Sequence, residues 1–563
     1  MRKKSLTTLL KNHKLALVII LTGSLSWSLT MIRSGLVYSY GAGFWGPNGH
    51  DGIWHIALIK QIAQGNFQMP VFAGEALKNY HIGFDLLVAI LHRVTTVPVM
   101  NLYFQILPPT MAVSVGILVY KLINSWQNEK AALWSLFFVY FGGSLGWLIS
   151  FVRNQTFYGE SMFWSQQAVS TLINPPFALS LVILMLALTN LQQYISHSDN
   201  KNFLFSLLLF GVLIEIKAYA GALALGALFV TAIFRFIVTK KYDLLLMFLG
   251  SSVLSLLIFL PLNQNSGSLL VFKPFWFLET MMGLSDRFGW QRFYEAMLAY
   301  RSGNIWIKAI AAYLTAFFIF IIGNFGIRMI SLLHLIKLSK NYKKIDEINI
   351  FLLSIFGAGI FVPMLFLQKG TPWNTIQFFY YSLFIAAIYA GVSMQYVNKY
   401  LKIFIIVFTI PTSFATLNYH YLTSTPPARV PDYELEALEF LKGQSGGIVL
   451  TYPFDEKEVA KAEAPRPLRQ YVSTAYASAY TGKLVYLEDE INLNITDYDW
   501  KTRRQNVLDF YKSLDHEYVY NFLRDNNISY IYWVDDQRAT LGETQLGIRQ
   551  VFDNGEVKIY RVE

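Results

Sequence analysis

Gly211-Val212-Leu213-Ile214-Glu215-Ile216-Lys217-Ala218-Tyr219-Ala220-Gly221 lies inside a nearly continuous apolar stretch, residues 202–238. A membrane-spanning helix needs about 20 apolar residues, so the stretch is too long for one span and short for two. It therefore predicts two abbreviated helices that meet at the charged break Glu215-Ile216-Lys217. Ionisable groups at membrane depth are expensive and usually line a cavity or a polar path. The same residues thus set the fold class and mark a first candidate for function.

Working outward, apolar runs of similar purity recur. They predict spans near 15–32, 102–123, 131–152, 176–195, 203–216, 218–237, 242–262, 305–327, 349–368, 375–394 and 400–417. Residues 84–98 are apolar but short, interrupted by His92 and Arg93 and bounded by Pro98, and read as an interfacial helix or a further span. The expectation is a polytopic α-helical membrane protein of about 11–13 spans. Only 15% of the 563 residues are charged and 54% are hydrophobic, where a soluble domain carries about 25% charged residues. The 13 Trp, 34 Tyr and 44 Phe suit side chains that sit at the membrane–water interface.

The net charge of +10 is unevenly spread. Residues 1–424 hold 30 Lys and Arg against 13 Asp and Glu, whereas residues 425–563 hold 16 against 23. The basic residues gather in short turns between apolar runs, the positive-inside pattern and not a nucleic-acid-binding face. Lys3, Lys4, Lys11 and Lys14 predict a cytoplasmic N-terminus. Lys240-Lys241, the group Lys337, Lys340, Lys343 and Lys344, and the pair Lys399 and Lys402 mark further inside turns. The start Met1-Arg2-Lys3-Lys4 reads as the flank of an uncleaved first span, because its apolar run is longer than a typical signal core. An odd number of spans then leaves the tail outside. Cys is absent, which excludes disulfides, thiolate-bound metals and cysteine nucleophiles.

Three outer segments are predicted, near 33–84, 153–176 and 263–305, and long outer loops are where sites tend to be built. Within the third, 275–293 mixes aromatic and charged groups, including Arg287 and Arg292, as in an amphipathic surface helix. After Pro426-Pro427 the composition changes, dividing a membrane domain (1–424) from an extracytoplasmic α/β domain (425–563). In that tail, 432–441, 500–514 and 516–524 have helical spacing, and 447–452, 484–487 and 530–534 are strand-like. Segments 548–552 and 557–562 flank Asp553-Asn554-Gly555, a hairpin signal.

The first outer loop opens with Gly46-Pro47-Asn48-Gly49-His50-Asp51-Gly52-Ile53-Trp54-His55 and closes with Asn79-Tyr80-His81-Ile82-Gly83-Phe84-Asp85. A helix beginning near His50 would put Asp51 and His55 one turn apart on one face. Asp51 beside imidazoles could take a proton from a substrate. His50, His55 and His81 with Asp51 could instead hold a divalent cation. In the bland alternative Asp51 caps the helix and the histidines anchor at the interface.

An outer loop with an Asp close after the first span, then Tyr80 and a turn before an apolar helix, resembles the GT-C membrane glycosyltransferases. That superfamily includes protein O-mannosyltransferases, aminoarabinose transferases and oligosaccharyltransferase catalytic subunits. The resemblance implies that Asp51 is the catalytic acid–base residue and that Lys217, at its break between apolar helices, binds a lipid phosphate. Lys369, in Gln368-Lys369-Gly370-Thr371-Pro372-Trp373-Asn374, and Tyr80 are further substrate-binding candidates, with His50, His55 and His81 as orienting or metal-binding residues. Two departures stand out. The family's Tyr-Pro-Pro signature reads Tyr80-His81-Ile82-Gly83, and a second outer acid is replaced by Asn174 in Ile173-Asn174-Pro175-Pro176-Phe177, leaving Glu160 as a substitute.

The implied activity is transfer of a sugar from a polyprenyl-phosphate donor to a hydroxyl of a protein, lipid or glycan acceptor at the outer face of a cell membrane. The tail would then cover the cavity or present the acceptor. Charged groups at a helix break also suit a transporter or lipid flippase, and a non-catalytic assembly protein would need neither Asp51 nor Lys217. Phosphate-loop, His-Glu-x-x-His and Gly-x-Ser-x-Gly motifs are absent, which removes nucleotide hydrolysis, zincin and serine-esterase chemistry.

Overall fold

Apolar runs without a charge can bury their backbone polar groups in hydrocarbon only by pairing them internally, and here they do so as helices. The structure is a computed structural model that describes residues 13–264, 270–535 and 547–563. Lys3, Lys4 and Lys11, and part of the outer segment 263–305, lie outside the described residues.

Seven helices among the described residues are long and apolar enough to cross a membrane: Val99–Trp126, Pro175–His197, Ala218–Thr239, Trp306–Lys340, Glu347–Leu365, Pro372–Tyr396 and Lys399–Tyr421. The pair Glu129–Phe141 and Gly146–Asn154, bent by 44°, forms an eighth if it is one broken span. Lys14–Ser28, Asn200–Ile216 and Asp243–Phe259, three of the expected spans, are helices of 15 to 17 residues. They fall short of the length a straight crossing needs. The helix Gly83–Thr95 is shorter still, at 13 residues. The chain is a multi-pass helical membrane protein.

Contacts divide the chain into two units. One takes the described parts of residues 1–30, 108–261 and 265–422; the other takes 31–107, 262–264 and 423–563. In the first, small residues let helices approach closely. A Cβ on Gly23 or Gly116 would stand within 2.2 Å of Tyr140 atoms, while the Tyr140 hydroxyl donates to the Ala112 carbonyl at 2.8 Å. Trp27 Nε1 in turn donates to the Tyr140 carbonyl at 3.0 Å. Arg235, near the C-terminal end of Ala218–Thr239, pairs with Asp243 at 2.9 Å and Glu347 at 2.6 Å, tying three helix ends together.

The second unit joins residues 31–107 to the tail. The strands Val37–Tyr38, Gly41–Phe44, Ala428–Val430 and Arg466–Pro467 form one sheet in that order, antiparallel up to the last pair. The loop helix Asp51–Ala63 lies against the tail helix Tyr476–Thr481, where Lys60 Nζ donates to the Tyr480 carbonyl and Gln61 Nε2 to that of Gly482, both at 2.9 Å. A second sheet orders Ile448–Thr451, Ile528–Val534, Val557–Val562 and Ile548–Asp553. Its hairpin is the one signalled by Asp553-Asn554-Gly555. Helices Asp432–Gly443, Trp500–Lys512 and His516–Asp525 match the helical spacing. Residues 484–487 differ: Val485 makes an isolated bridge to Val449, because the segment divides its backbone hydrogen bonds between Val449 on one side and Pro70 and Ala73 on the other instead of forming a ladder.

Candidate functional site

The approach to Asp51 is built by small residues and a serine. Ser34 Oγ accepts from the Trp45 backbone N–H at 3.1 Å and from Asn48 Nδ2 at 2.9 Å, fixing a 3₁₀ turn over Gly46–Gly49. Gly46 takes φ +58°, a left-handed turn that favours glycine. The helix Asp51–Ala63 starts immediately after this turn, with Asp51 in its first turn. A negative charge there is favoured by the helix dipole.

His50 Nδ1 lies 2.8 Å from Asp51 Oδ1, and His50 Nε2 lies 3.4 Å from Oδ1 of Asp489, a residue of the tail. Half of the Asp51 side chain is open to solvent, whereas Asp489 is fully buried. Burial alone would lower the His50 pKa, but the charge and proximity of Asp489, and then of Asp51, outweigh it and raise it to about 10. His50 is therefore an imidazolium across the neutral range, paired with one oxygen of the half-exposed Asp51 carboxylate.

The other loop candidates separate from this group. His55 Nδ1 pairs with buried Asp85 at 2.7 Å, so it orients its own helix against Gly83–Thr95 and not the Asp51 carboxylate. Tyr80 stacks on His81 at 4.9 Å between ring centroids and meets Trp54 edge-on at 5.5 Å. Burial, and then the charge of Asp85, push the Tyr80 hydroxyl pKa well up, so it remains a neutral donor. The donor set does not fit a resident divalent ion. Both His50 nitrogens face carboxylates, the His55 nitrogen nearest a carboxylate faces Asp85, and no group of three or more His, Asp or Glu able to hold a metal is gathered among the described residues.

Lys217 belongs to the first unit. It is the single extended residue, φ −156° and ψ 111°, between helices Asn200–Ile216 and Ala218–Thr239, as the charged break predicted. Lys217 is 5% exposed. Its Nζ donates to Asn174 Oδ1 at 3.4 Å, and the same oxygen caps the helix Pro175–His197 by accepting the Phe177 N–H at 3.1 Å. Asn174 thus serves at once as the cap of this helix and as the partner of Lys217. The Tyr219 ring centroid is 5.4 Å from Lys217 Nζ, and its hydroxyl donates to Gln368 Oε1 at 2.8 Å. Lys369 follows directly and is exposed.

An apolar cavity of about 430 Å³ starts one turn along the helix from this polar group. Ala222, Gly226, Ala227 and Ala358 line it together with the larger Leu223, Val230, Val362, Phe366 and Phe378. Phe378 packs edge-on against Tyr219 at 4.8 Å. Leu270, also in the lining, pairs in register with Gln368 across the ribbon Leu270–Phe272 and Phe366–Gln368.

Glu160, the expected substitute acid, is engaged within its own loop. Buried, and with its pKa raised by that burial, it accepts from the Gln167 N–H at 2.7 Å and Ser170 Oγ at 2.9 Å, clamping its own loop. The expected amphipathic helix over 275–293 is instead two helices, Trp276–Gly283 and Gln291–Ser302. The chain breaks between them at Gly289, φ +59°, and Arg287 stacks on Trp164 at 4.3 Å. Sequence reasoning missed Asp489, Tyr219 and Gln368. The available signal was the acidic triplet Glu488-Asp489-Glu490 following an apolar segment.

No protein-family model matches the chain, and no curated protein matches it in sequence. Solved structures do. The oligosaccharyltransferase of Archaeoglobus fulgidus, tethered with an acceptor peptide containing the NVT sequon, is 11% identical, covering 94% of this chain and 70% of that one with a TM-score of 0.50. The Archaeoglobus fulgidus oligosaccharyltransferase AglB in complex with an inhibitory peptide and a dolichol-phosphate is also 11% identical, covering 93% and 70% with a TM-score of 0.50. ArnT from Cupriavidus metallidurans bound to undecaprenyl phosphate is 9% identical over 97% and 98%, with a TM-score of 0.37 that carries no weight. At these identities the likeness is one of fold. The expected fold class, a polytopic helical membrane protein with a C-terminal sheet-containing domain, is the fold found, with seven or up to eight spanning helices among the described residues where about 11–13 spans were expected.

Proposed function

We propose that the protein is a membrane glycosyltransferase that moves a sugar from a polyprenyl-phosphate donor to an acceptor hydroxyl at the outer face. The observation that carries this reading is the arrangement around Lys217. A buried ammonium, a tyrosine and two amides form one polar group, and an apolar cavity lies along the same helix, joined to that group by Phe378 against Tyr219 and by Leu270 paired with Gln368. A phosphate on an isoprenoid tail has this same division into charged head and apolar body. The cavity volume lies within the usual range for ligand sites, about 300–1,000 Å³, and accommodates the first isoprene units while the rest of the tail stays in lipid. The archaeal enzyme of like fold is described with a dolichol-phosphate, a lipid of this class.

In the proposed reaction Asp51 accepts the proton of the acceptor hydroxyl as its oxygen attacks the anomeric carbon. The bond from that carbon to the phosphate oxygen breaks, the electron pair leaves with the polyprenyl phosphate, and configuration at the carbon inverts. Lys217 stabilises the negative charge that develops on the phosphate, and Lys369 is placed in the proposal as a further phosphate contact. The tail (425–563) is proposed to lie outside the membrane and to present the acceptor.

The test is transfer by the purified full-length protein in lipid nanodiscs, with tritiated polyprenyl-phosphate hexoses and pentoses as donors and envelope extract as acceptor source. Asp51→Asn is expected to lower kcat by about 100-fold or more while the protein stays folded. Lys217→Ala is expected to lower kcat/KM by about 100-fold. Transport of a lipid substrate that survives Asp51→Asn, with no sugar transfer by wild type, would overturn the proposal in favour of a transporter.

A further inference from the structure

Three consecutive acids, Glu488-Asp489-Glu490, have three different surroundings. Glu488 accepts the backbone N–H groups of Ala477 and Ser478 at 3.0 and 3.1 Å. Glu490 is ion-paired with Arg504. Asp489 caps the short helix Glu490–Ile495, accepting the Asn492 N–H at 3.1 Å and Asn492 Nδ2 at 2.8 Å, and it also faces His50.

Capping does not explain why this residue is charged. Asn caps a helix as well as Asp, and Asn tolerates the left-handed φ of +48° that the position demands. What Asp adds is a negative charge, and a fully buried carboxylate is costly unless a cation compensates it. His50 Nε2 at 3.4 Å is a group that does so. The opposite ring nitrogen is on Asp51 at 2.8 Å, so one imidazole lies between two carboxylates.

We infer that Asp489 is a positioning residue for the proposed base: acting through the His50 ring, it fixes the orientation of the Asp51 carboxylate. The inference rests on the reading of Asp51 as the base. It gives the tail a direct part in the reaction, since the third member of the chain Asp489–His50–Asp51 comes from residues beyond 423. A base oriented by a ring that is itself oriented by a buried carboxylate is a general device for holding a reacting group in one geometry. His50 then stands where an ion bridging the two carboxylates would have to stand.

The decisive variant is Asp489→Asn, which keeps the helix cap and removes the charge. In the transfer assay with tritiated polyprenyl-phosphate hexoses it is expected to lower kcat by about tenfold or more, with donor KM unchanged. Asp489→Asn combined with Asp51→Asn should be no slower than Asp51→Asn alone, because both act through one group. In parallel, 15N-histidine NMR of the full-length protein in nanodiscs, with the His50 signals assigned by their loss in His50→Gln, should show both ring nitrogens shifting in Asp489→Asn and again in Asp51→Asn. An unchanged kcat in Asp489→Asn overturns the inference and leaves Asp489 as a cap. Unmoved ring signals overturn it as well. A wild type that transfers no sugar overturns the reading of Asp51 as a base, and the contact chain is then decided by the ring signals alone.

Discussion

A single imidazole carries much of the electrostatics of the second unit. His50 has a pKa raised from 6.5 to about 10 in the folded protein, against the lowering effect of burial, by Asp489 first and Asp51 second. The folded state therefore holds the proton more tightly than the unfolded chain does. The resulting stabilisation is fully present below pH 6.5, where both states are protonated, and is lost as pH rises toward 10. Lys60 in the same unit works in the opposite sense. Burial, and then the charge of Lys442, lower its pKa from 10.5 to about 8, so its contribution improves as pH rises above that value. Comparing wild type with His50→Gln at each pH cancels the Lys60 effect. The wild-type advantage in thermal midpoint, read from far-ultraviolet circular dichroism, is expected to shrink by at least about 3 °C between pH 6 and pH 9.5. An advantage that stays constant or grows would mean that His50 is neutral in the folded protein.

Among the helices, the break at 142–145 shows how an interrupted span accounts for its backbone. Glu129–Phe141 and Gly146–Asn154 meet at 44°, and the peptide groups freed there cannot turn to water inside a bilayer. They find partners instead. The Leu145 N–H donates to the Gly323 carbonyl at 2.8 Å, and Thr412 Oγ1 donates to the Ser144 carbonyl at 2.9 Å. Thr412→Val keeps the shape and leaves that carbonyl unsatisfied, at a cost of about 1–3 kcal/mol. The buried Thr409 hydroxyl only returns to its own helix, at Ile405, whose carbonyl keeps its helical partner, so Thr409→Val should cost less than Thr412→Val. Thermal denaturation of both variants in one nanodisc preparation checks the contrast. The sequence reads over 131–152 as one apolar span, although Gly142-Gly143-Ser144 stands at the break and is a helix-breaking signal. The break at Lys217 was legible, because a charge inside hydrocarbon sequence is a conspicuous exception. The ribbon pairing Leu270–Phe272 with Phe366–Gln368 joins strands of three residues from far apart in the chain, and so escapes any local reading. Asp489 was missed for the same reason: its contact with His50 spans most of the chain, and only the fold reports it.

At the scale of the whole molecule, the excess of basic residues in the turns of 1–424 and the acidic excess in 425–563 lead to a topology proposal: turns at 240–241 and 337–344 inside, tail outside. Positive charge is retained on the cytoplasmic side when it lies in short turns next to spans, whereas a large acidic domain crosses without regard to its charge. The proposed chemistry depends on this, since a polyprenyl-phosphate donor is needed where nucleotide sugars are not supplied. The chain lacks Cys, so single cysteines can be introduced without background. Lys241, Ser339 and Glu517 are exposed, the first two in or beside the basic turns and the third in the tail helix His516–Asp525. In intact cells a membrane-impermeant maleimide is expected to label Glu517→Cys and to leave Lys241→Cys and Ser339→Cys unlabelled until the cells are permeabilised. Labelling of Ser339→Cys in intact cells, with Glu517→Cys protected, would put the tail in the cytoplasm. Asp51 would then have to act where nucleotide sugars are available, and the lipid-linked donor would lose its rationale.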